Sequence, residues 1–226
     1  MWKVLTPAME DYVRRINMDG YQREWPPLPA QSQPSHRGVI NEAAFLAFSN
    51  VAALSREEAG GKLREAVEAG FVDAQRYIYG DLVEELGFKP TKSELREGLA
   101  LSIRLLNFFE SRHGNKKIVI SPQFQGSGII SSCRGDIYVE GAGILYEIKG
   151  GDRSFRSVDV RQLSVYAALN FGANGPVIKK LGLLNPRRGT FVVSDVDDFA
   201  MEISGQSASS LFQIMIECFS GSFVSD

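Results

Sequence analysis

The spacing of apolar residues along the chain changes near residue 114. Before that point apolar side chains recur every three or four positions, which is typical of helices that pack by one face. A stretch with four prolines at 26–38 interrupts this pattern and predicts an extended connection. The predicted helices cover residues 7–18, 41–88 (punctuated by Gly60-Gly61 and Gly87) and 94–112 (with Thr91 or Ser93 as the N-cap).

After Gly114 apolar residues alternate with polar ones, and this alternation is typical of half-buried strands. The predicted strands cover residues 118–120, 128–130, 136–139, 144–148, 180–184 and 190–193. Helical spacing returns at 157–170 and at 207–219. We therefore expect two parts: a mainly helical N-terminal extension over residues 1–90, which includes the proline-rich arm, and an α/β domain over residues 91–226.

Composition narrows the class of protein. The 226 residues carry 25 Lys and Arg against 27 Asp and Glu, a formal charge of −2, which argues against a protein that coats nucleic acid through bulk positive charge. Two cysteines and two histidines cannot build a disulfide framework or a four-thiolate metal site. There is no apolar run of the roughly 20 residues that a membrane span needs, and the first residues lack a signal-peptide pattern. We expect a cytoplasmic protein that does not enter a membrane.

Two carboxylates are expected to face each other across a hairpin. If residues 141–142 form a two-residue loop, or 140–143 a four-residue loop, paired residue numbers sum to 283, so Asp136 lies opposite Glu147. Directly opposite side chains have Cβ atoms about 4.5–5.5 Å apart. Two carboxylates at that separation repel each other, and a proton or a cation relieves the repulsion. Mg²⁺ suits the position, because it binds a few carboxylate oxygens and keeps several waters.

Lys149 is predicted to share a sheet face with Glu147, because the two residues are two positions apart. A lysine beside a metal-binding carboxylate can polarise an attacking water and offset the charge that develops on a phosphate. The same residues also fit an ordinary strand surface with a Glu–Lys pair, and a one-residue bulge would shift the register. From these residues alone, metal chemistry and a plain strand surface are equal alternatives.

The next predicted helix places Gln162 and Tyr166 one turn apart on a largely apolar stripe. A buried glutamine needs a hydrogen-bond partner, and the neighbouring strand is the simplest one. Arg153 and Arg156 precede this helix, and Arg161 lies within it. These arginines can bind phosphates of a nucleic acid, or they can lie on a solvated face of the loop and helix.

Three short motifs follow one another along these predicted elements: Gly135-Asp136, Glu147-Ile148-Lys149 and Gln162-Leu163-Ser164-Val165-Tyr166. In this order they resemble the motifs of the PD-(D/E)XK nuclease superfamily. The glutamine–tyrosine spacing is similar to the QxxxY motif of its RecB-like and lambda-exonuclease-like branch. The resemblance covers about residues 94–193, and it implies a restriction-endonuclease-like core, which is a mixed central sheet flanked by helices.

The resemblance also implies roles for individual residues. Asp136, Glu147 and the Ile148 carbonyl would bind Mg²⁺ or Mn²⁺, and Lys149 would assist the attacking water. The motif's glutamine and tyrosine would orient the site or the nucleic-acid backbone. Many members of the superfamily add an acidic residue from the helix before the first strand, and the candidates for it here are Glu94, Glu97 and Glu110.

The function expected from the resemblance is a metal-dependent deoxyribonuclease that hydrolyses phosphodiester bonds, with DNA as its partner. Its context would be repair, a mobile element or antiviral defence. The resemblance to the QxxxY motif favours an exonuclease over an endonuclease, and a homo-oligomeric ring would suit an exonuclease. Two alternatives stay open: an RNase with the same metal site, and a nuclease-fold binding or assembly subunit of a larger nucleic-acid-processing complex, whose helical N-terminal region docks a protein partner. The formal charge favours the subunit, whereas the intact Asp136, Glu147 and Lys149 set argues against it.

Overall fold

A computed structural model describes residues 2–29 and 31–221. It shows an α/β protein in which helices flank a mixed sheet of six strands. The helices are α1 (Trp2–Leu5), α2 (Met9–Arg15), α3 (Arg37–Val51), α4 (Arg56–Tyr79), α5 (Val83–Leu86), α6 (Lys92–His113), α7 (Ser157–Gly172), α8 (Val196–Ser204) and α9 (Ala208–Ser220). A π-helical turn at Ile16–Gly20 extends α2, and 3₁₀ turns cover Pro34–His36 and Gly80–Leu82.

The strands are β1 (Gln22–Arg23), β2 (Ile118–Ile120), β3 (Gln123–Phe124), β4 (Cys133–Arg134), β5 (Ile137–Val139), β6 (Ile144–Ile148), β7 (Lys180–Asn185) and β8 (Thr190–Asp195). Their order in the main sheet is β1-β8-β7-β6-β5-β2, and β3 and β4 form a separate two-stranded sheet. Neighbouring strands are antiparallel apart from β6 and β7. Those two run parallel, and α7 lies in the connection between them.

The β5–β6 hairpin has the register that the sequence predicts. Ile137 pairs with Tyr146 and Val139 with Ile144, so the paired numbers sum to 283. Gly141 and Gly143 have φ values of +75° and +66°, a left-handed conformation that glycine adopts without the cost of a Cβ. The observed register therefore carries Asp136, the residue before β5, to the position opposite Glu147 on β6.

Alternate residues of β6 enter two different cores. Leu145 packs in a cluster with residues of α2, α7, α8 and α9. Tyr146 packs on the opposite face against Phe108 and Phe109 of α6, with ring centroids 5.7 and 5.4 Å away. A third cluster joins α3, α4 and α6. Because side chains alternate along a strand, Glu147 lies on the same sheet face as Leu145, which is the face that α7 covers.

The breaks in the helical N-terminal third differ from the prediction. Gly60 and Gly61 lie inside α4, and the chain breaks instead before Ser55, whose hydroxyl caps α4 by accepting from the Glu58 amide. The prediction of a break at the two glycines is wrong because an exposed glycine weakens a helix without forbidding helical geometry. The last part of the predicted proline-rich arm is not extended, because a 3₁₀ turn over Pro34–His36 leads into α3.

The predicted strand at 128–130 is also wrong. Gly128 has a φ of +54° and lies so close to the Phe219 carbonyl that a side chain would not fit there. The Ile129 amide donates to the same carbonyl at 2.9 Å, so residues 127–130 form a turn held against the end of α9. The periodicity also misses α8 and the two-residue strands β1, β3 and β4.

Residues before α3 are joined to the main sheet. β1 pairs with β8, and the Leu28 amide donates to the Arg187 carbonyl at 2.7 Å. The Arg104 guanidinium donates to the carbonyls of Pro26 (2.9 Å) and Pro186 (2.8 Å). The arm is thereby held against the turn between β7 and β8. None of the helices in residues 2–29 and 31–221 combines the length and the hydropathy that crossing a bilayer requires.

Two glycine substitutions should change stability in opposite directions. Gly182 pairs with Tyr146 across β6 and β7, and a Cβ there would overlap the tyrosine ring, so Gly182→Ala should lower the free energy of unfolding by about 1–3 kcal/mol. Gly61 is exposed in α4 with open space around it, so Gly61→Ala should raise that free energy by about 0.5–1 kcal/mol. Urea unfolding of both variants measures the difference, and equal changes would contradict this description of the β6–β7 packing.

Candidate active site

Asp136 is held at the end of β5 by the backbone of the neighbouring strand. Its Oδ2 accepts a hydrogen bond from the Ile148 amide at 2.6 Å. The residue before it, Gly135, is buried where a Cβ would lie 3.0 Å from the Phe124 ring and 3.5 Å from the Tyr166 ring. The Gly-Asp pair of the sequence therefore has a local reason: the glycine lets the strand approach two aromatic rings, and the aspartate follows at the strand end.

Glu147 is a buried carboxylate with one oxygen unsatisfied. Its side chain is 3% exposed, and Oε2 has no hydrogen-bond partner. Burial, with the nearby charge of Asp136, raises the pKa of Glu147 to about 8, against the opposing effect of Lys149. Burial likewise raises the pKa of Asp136, although the Ile148 amide and Lys149 oppose it. Asp136 is thus close enough to Glu147 for its charge to contribute to the raised pKa.

Lys149 connects the carboxylate pair to α7. Its Nζ donates to Glu147 Oε1 at 2.7 Å and to Gln162 Oε1 at 2.8 Å, and lies 3.9 Å from Asp159 Oδ1. The Gln162 amide nitrogen in turn donates to the Tyr166 hydroxyl at 2.6 Å. The predicted shared face of Glu147 and Lys149 is confirmed, and the partner of the glutamine is the lysine that follows the strand.

Tyr166 closes this chain of hydrogen bonds. Its ring stacks on Phe124 of β3, with centroids 5.3 Å apart and an angle of 17° between the planes. Burial raises the pKa of Tyr166 to about 12, with further contributions from Glu147 and Asp136 and against the Gln162 hydrogen bond. The phenol is therefore neutral at pH 7 and keeps a proton that it can donate to a ligand.

A third carboxylate, Glu42 of α3, lies close to Asp136. Burial, followed by the charge of Asp136, raises the pKa of Glu42. Both residues line a small hollow of about 120 Å³ together with Asn41 and Gly150. Sequence reasoning misses Glu42, yet there is a signal: Asn41 and Glu42 are the two polar residues in the apolar run at 39–44.

The three helix glutamates that the sequence offers as candidates have other partners. Glu94 accepts from Thr91 as part of a capping box and contacts His36. Glu97 is buried against Arg187, and Glu110 forms a surface ion pair with Arg56 at 3.4 Å. The contacts of these three glutamates thus differ from those of Glu42, whose pKa is raised by burial and by the charge of Asp136.

The predicted phosphate-binding arginines have different surroundings. Arg153 forms two hydrogen bonds with the buried Asp159, at 2.6 and 2.8 Å. Those bonds, the Arg156 amide and Lys149 lower the pKa of Asp159 despite its burial. Arg161 lies 3.4 Å from Glu10 and over the Trp2 ring. Arg156 has an exposed side chain, so it is the most accessible of the three to a phosphate.

A buried arginine supports the loop that follows Lys149. Arg187 is 1% exposed and donates to Glu97 (2.5 Å), to Asn41 (2.9 Å) and to the Gly150 carbonyl (2.8 Å). A side chain at Gly150 would overlap Asn41, so the loop fits closely against α3. These contacts fix the distance between α3, which carries Glu42, and the strand end that carries Lys149.

The carboxylate pair is where a hard divalent cation would be held if the protein binds one. An unpartnered buried oxygen and two carboxyl groups with raised pKa values are what a cation would stabilise. Within residues 2–29 and 31–221 no group of three or more His, Cys, Asp or Glu side chains is arranged to hold a metal ion. Mg²⁺ is compatible with so few protein ligands, because it usually keeps several waters and takes substrate phosphates as further ligands.

Comparison with known proteins identifies no relative of this chain. No protein-family model, curated protein or solved structure matches the chain.

Removing Arg187 should destabilise the protein through Glu97. Arg187→Met leaves a buried carboxylate without its cation, which typically costs about 3–5 kcal/mol. The double variant Arg187→Met/Glu97→Gln should recover part of that loss, because no buried charge is then left unpaired. Urea unfolding of the two variants measures this coupling. An equal loss in both would mean that the ion pair contributes nothing beyond packing.

Glu147→Gln should leave the metal-free protein at least as stable as the wild type. Above about pH 8 the amide replaces a buried charge that is repelled by Asp136, and below that pH it replaces a carboxyl group that folding forces to take up a proton. The overall shape of the side chain is kept in both cases. Thermal unfolding in EDTA at pH 7 to 9 measures the effect, with Asp159→Asn as the control. That control should lower the melting temperature, since it weakens the contacts to Arg153 and to the Arg156 amide. A large loss of stability in Glu147→Gln would contradict the repulsion.

Proposed function

We propose that this chain is a metal-dependent deoxyribonuclease of the PD-(D/E)XK type, with a restriction-endonuclease-like core. One observation carries the proposal: Lys149 Nζ lies between Glu147 and Gln162, beside a buried carboxylate oxygen that has no partner. In a plain strand surface, which was the alternative interpretation, a Glu–Lys pair would be solvated. Here Glu147 is buried close to Asp136, and Lys149 is half-buried and linked to α7 through Gln162.

Asp136 and Glu147 are the residues that would hold Mg²⁺ or Mn²⁺, with the Ile148 carbonyl as a further predicted ligand. Such an ion would neutralise charge on a phosphate and make a water molecule more acidic. Glu42 adds negative charge beside Asp136 and so strengthens the attraction for a cation. The Ile148 amide keeps Asp136 in place through a hydrogen bond that does not depend on the ion.

The remaining residues act on the phosphate and the attacking water. The Lys149 ammonium is positioned by Gln162 and can offset negative charge as the water oxygen bonds to phosphorus and the phosphorus–oxygen bond to the sugar breaks. Gln162 is itself oriented by Tyr166, which is stacked on Phe124. Arg156, with its exposed side chain, is the arginine best placed for a phosphate outside the site.

Cleavage of four DNA substrates tests the proposal: linear and covalently closed circular DNA, each single- and double-stranded, with Mg²⁺, Mn²⁺ or EDTA. We expect metal-dependent cleavage that Glu147→Gln abolishes and that Lys149→Ala lowers by about 10²–10³-fold. Glu110→Gln is the matched control, because it changes a surface glutamate and should retain full activity. Loss of linear DNA alone would indicate an exonuclease, and cutting of circles an endonuclease.

The same assay separates the proposal from its alternatives. Cleavage of RNA alone, with the same dependence on Glu147, would make the chain an RNase. Cleavage that both site variants retain would rule out this site. Absence of cleavage by the wild type with every metal would favour a nuclease-fold binding or assembly subunit, for which the formal charge of −2 is the supporting observation.

A further inference from the structure

The main sheet has an open edge at β2. β2 is the last strand in the sheet order, and it pairs with β5 on one side. The Lys117 carbonyl accepts from the Glu140 amide and the Ser121 amide donates to the Asp136 carbonyl, so these alternate residues bond inward. The backbone groups of Ile118 and Ile120 therefore point outward. Within the described ranges no other strand or loop makes a backbone hydrogen bond to them.

A groove of about 630 Å³ lies beside this edge. It is bounded by the end of α3, the start of α4 and the second half of α6, and its apolar lining includes Leu63, Leu106, Ile118 and Ile120. The two isoleucines pack against the core cluster on the α6 face of the sheet. Side chains of one face lie next to each other on neighbouring strands. The groove is thus where an additional strand would place its inward side chains.

The rim of the groove is basic. Its charged lining residues are Arg56, Lys116, Lys117 and Glu110, three positive and one negative. Arg56 forms an ion pair with Glu110 at 3.4 Å, and Lys117 forms one with the exposed side chain of Glu140 at 3.1 Å. Lys116 and Lys117 are exposed and come directly before the edge strand. A negatively charged segment that runs along β2 would meet Lys116 and would compete with Glu140 for Lys117, whereas a basic segment would be repelled by both lysines.

We propose that this groove binds an extended peptide segment of a partner protein, with alternating apolar and acidic residues, which adds to the sheet as a further strand beside β2. Main-chain hydrogen bonds to Ile118 and Ile120 would supply affinity, and the apolar groove and basic rim would supply selectivity. This inference is independent of the nuclease proposal, because no residue of the candidate active site takes part in it.

The geometry favours a peptide over single-stranded nucleic acid. An exposed strand edge offers donors and acceptors in alternation, which a second peptide backbone matches and a phosphate backbone, with acceptors only, does not. Binding of single strands also relies on exposed aromatic rings for base stacking. The aromatic side chains that line the groove, Phe48 and Phe109, are each 1% exposed and packed edge-on or tilted within the core.

Peptide binding to the full chain tests the inference. The probe is a fluorescent peptide of about eight residues that alternates Val and Glu, a length that covers the edge strand. Anisotropy should show binding that weakens at least about tenfold in Lys116→Glu/Lys117→Glu. The control, Lys89→Glu/Lys92→Glu, reverses two exposed lysines outside the groove and should bind as the wild type does. Hydrogen exchange should show new protection of the Ile118 and Ile120 amides in the bound state.

Two further probes identify the mode of binding. The same peptide with N-methyl groups on its strand-facing amides should not bind, because it cannot donate to the edge. The version with Lys in place of Glu should bind at least about tenfold more weakly. Equal binding of the N-methylated peptide, or protection elsewhere than at β2, would overturn strand addition. Binding of oligothymidylate in the groove without the acidic peptide would assign the groove to nucleic acid, and binding of neither probe would also refute the proposal.

Discussion

The burial of negative charge around Glu147 constrains the arrangement of the elements beside it. Two carboxylates meet at one end of the β5–β6 hairpin, and one ammonium, that of Lys149, lies beside them. The same ammonium binds Gln162 and lies 3.9 Å from Asp159, so charge as well as apolar contact ties the start of α7 to the strand. Asp159 then orders the preceding loop through Arg153 and the Arg156 amide. A substitution that changes the charge of Glu147, Lys149 or Asp159 should therefore alter both α7 and the loop that precedes it.

Arg187 plays the corresponding role on the other side of the strand end. It is a cation buried among carbonyl and carboxylate oxygens from α6, α3 and the loop after β6. Neither the charged group around Glu147 nor the Arg187 cation is needed for a hydrophobic core. Each imposes a desolvation cost that well-packed apolar residues would avoid. What they provide is a fixed relation between separate elements, so that Glu42, Asp136 and Lys149 approach one another from a helix and two strand ends.

The parts of this site that depend on local sequence could be predicted, and the parts that depend on packing could not. The turn at 141–142 defines the hairpin register, and strand alternation defines the face of Glu147 and Lys149. Helical periodicity predicts α7 and places Gln162 one turn before Tyr166, although it does not predict the hydrogen bond between their side chains. Glu42 is different, because its position depends on how α3 packs against the sheet. The turn at 127–130 is likewise determined by a contact with α9, far along the chain.

The parallel pairing of β6 with β7 has a consequence for the order in which the structure can form. The β5–β6 and β7–β8 hairpins each involve nearby residues, whereas joining them requires the whole segment from Ile148 to Lys180 to close back on the sheet. The carboxylates already meet in the first hairpin, but Gln162 arrives with the crossover. Asp136, Glu147 and Lys149 are therefore synthesised before Gln162, whose amide positions the lysine in the folded protein.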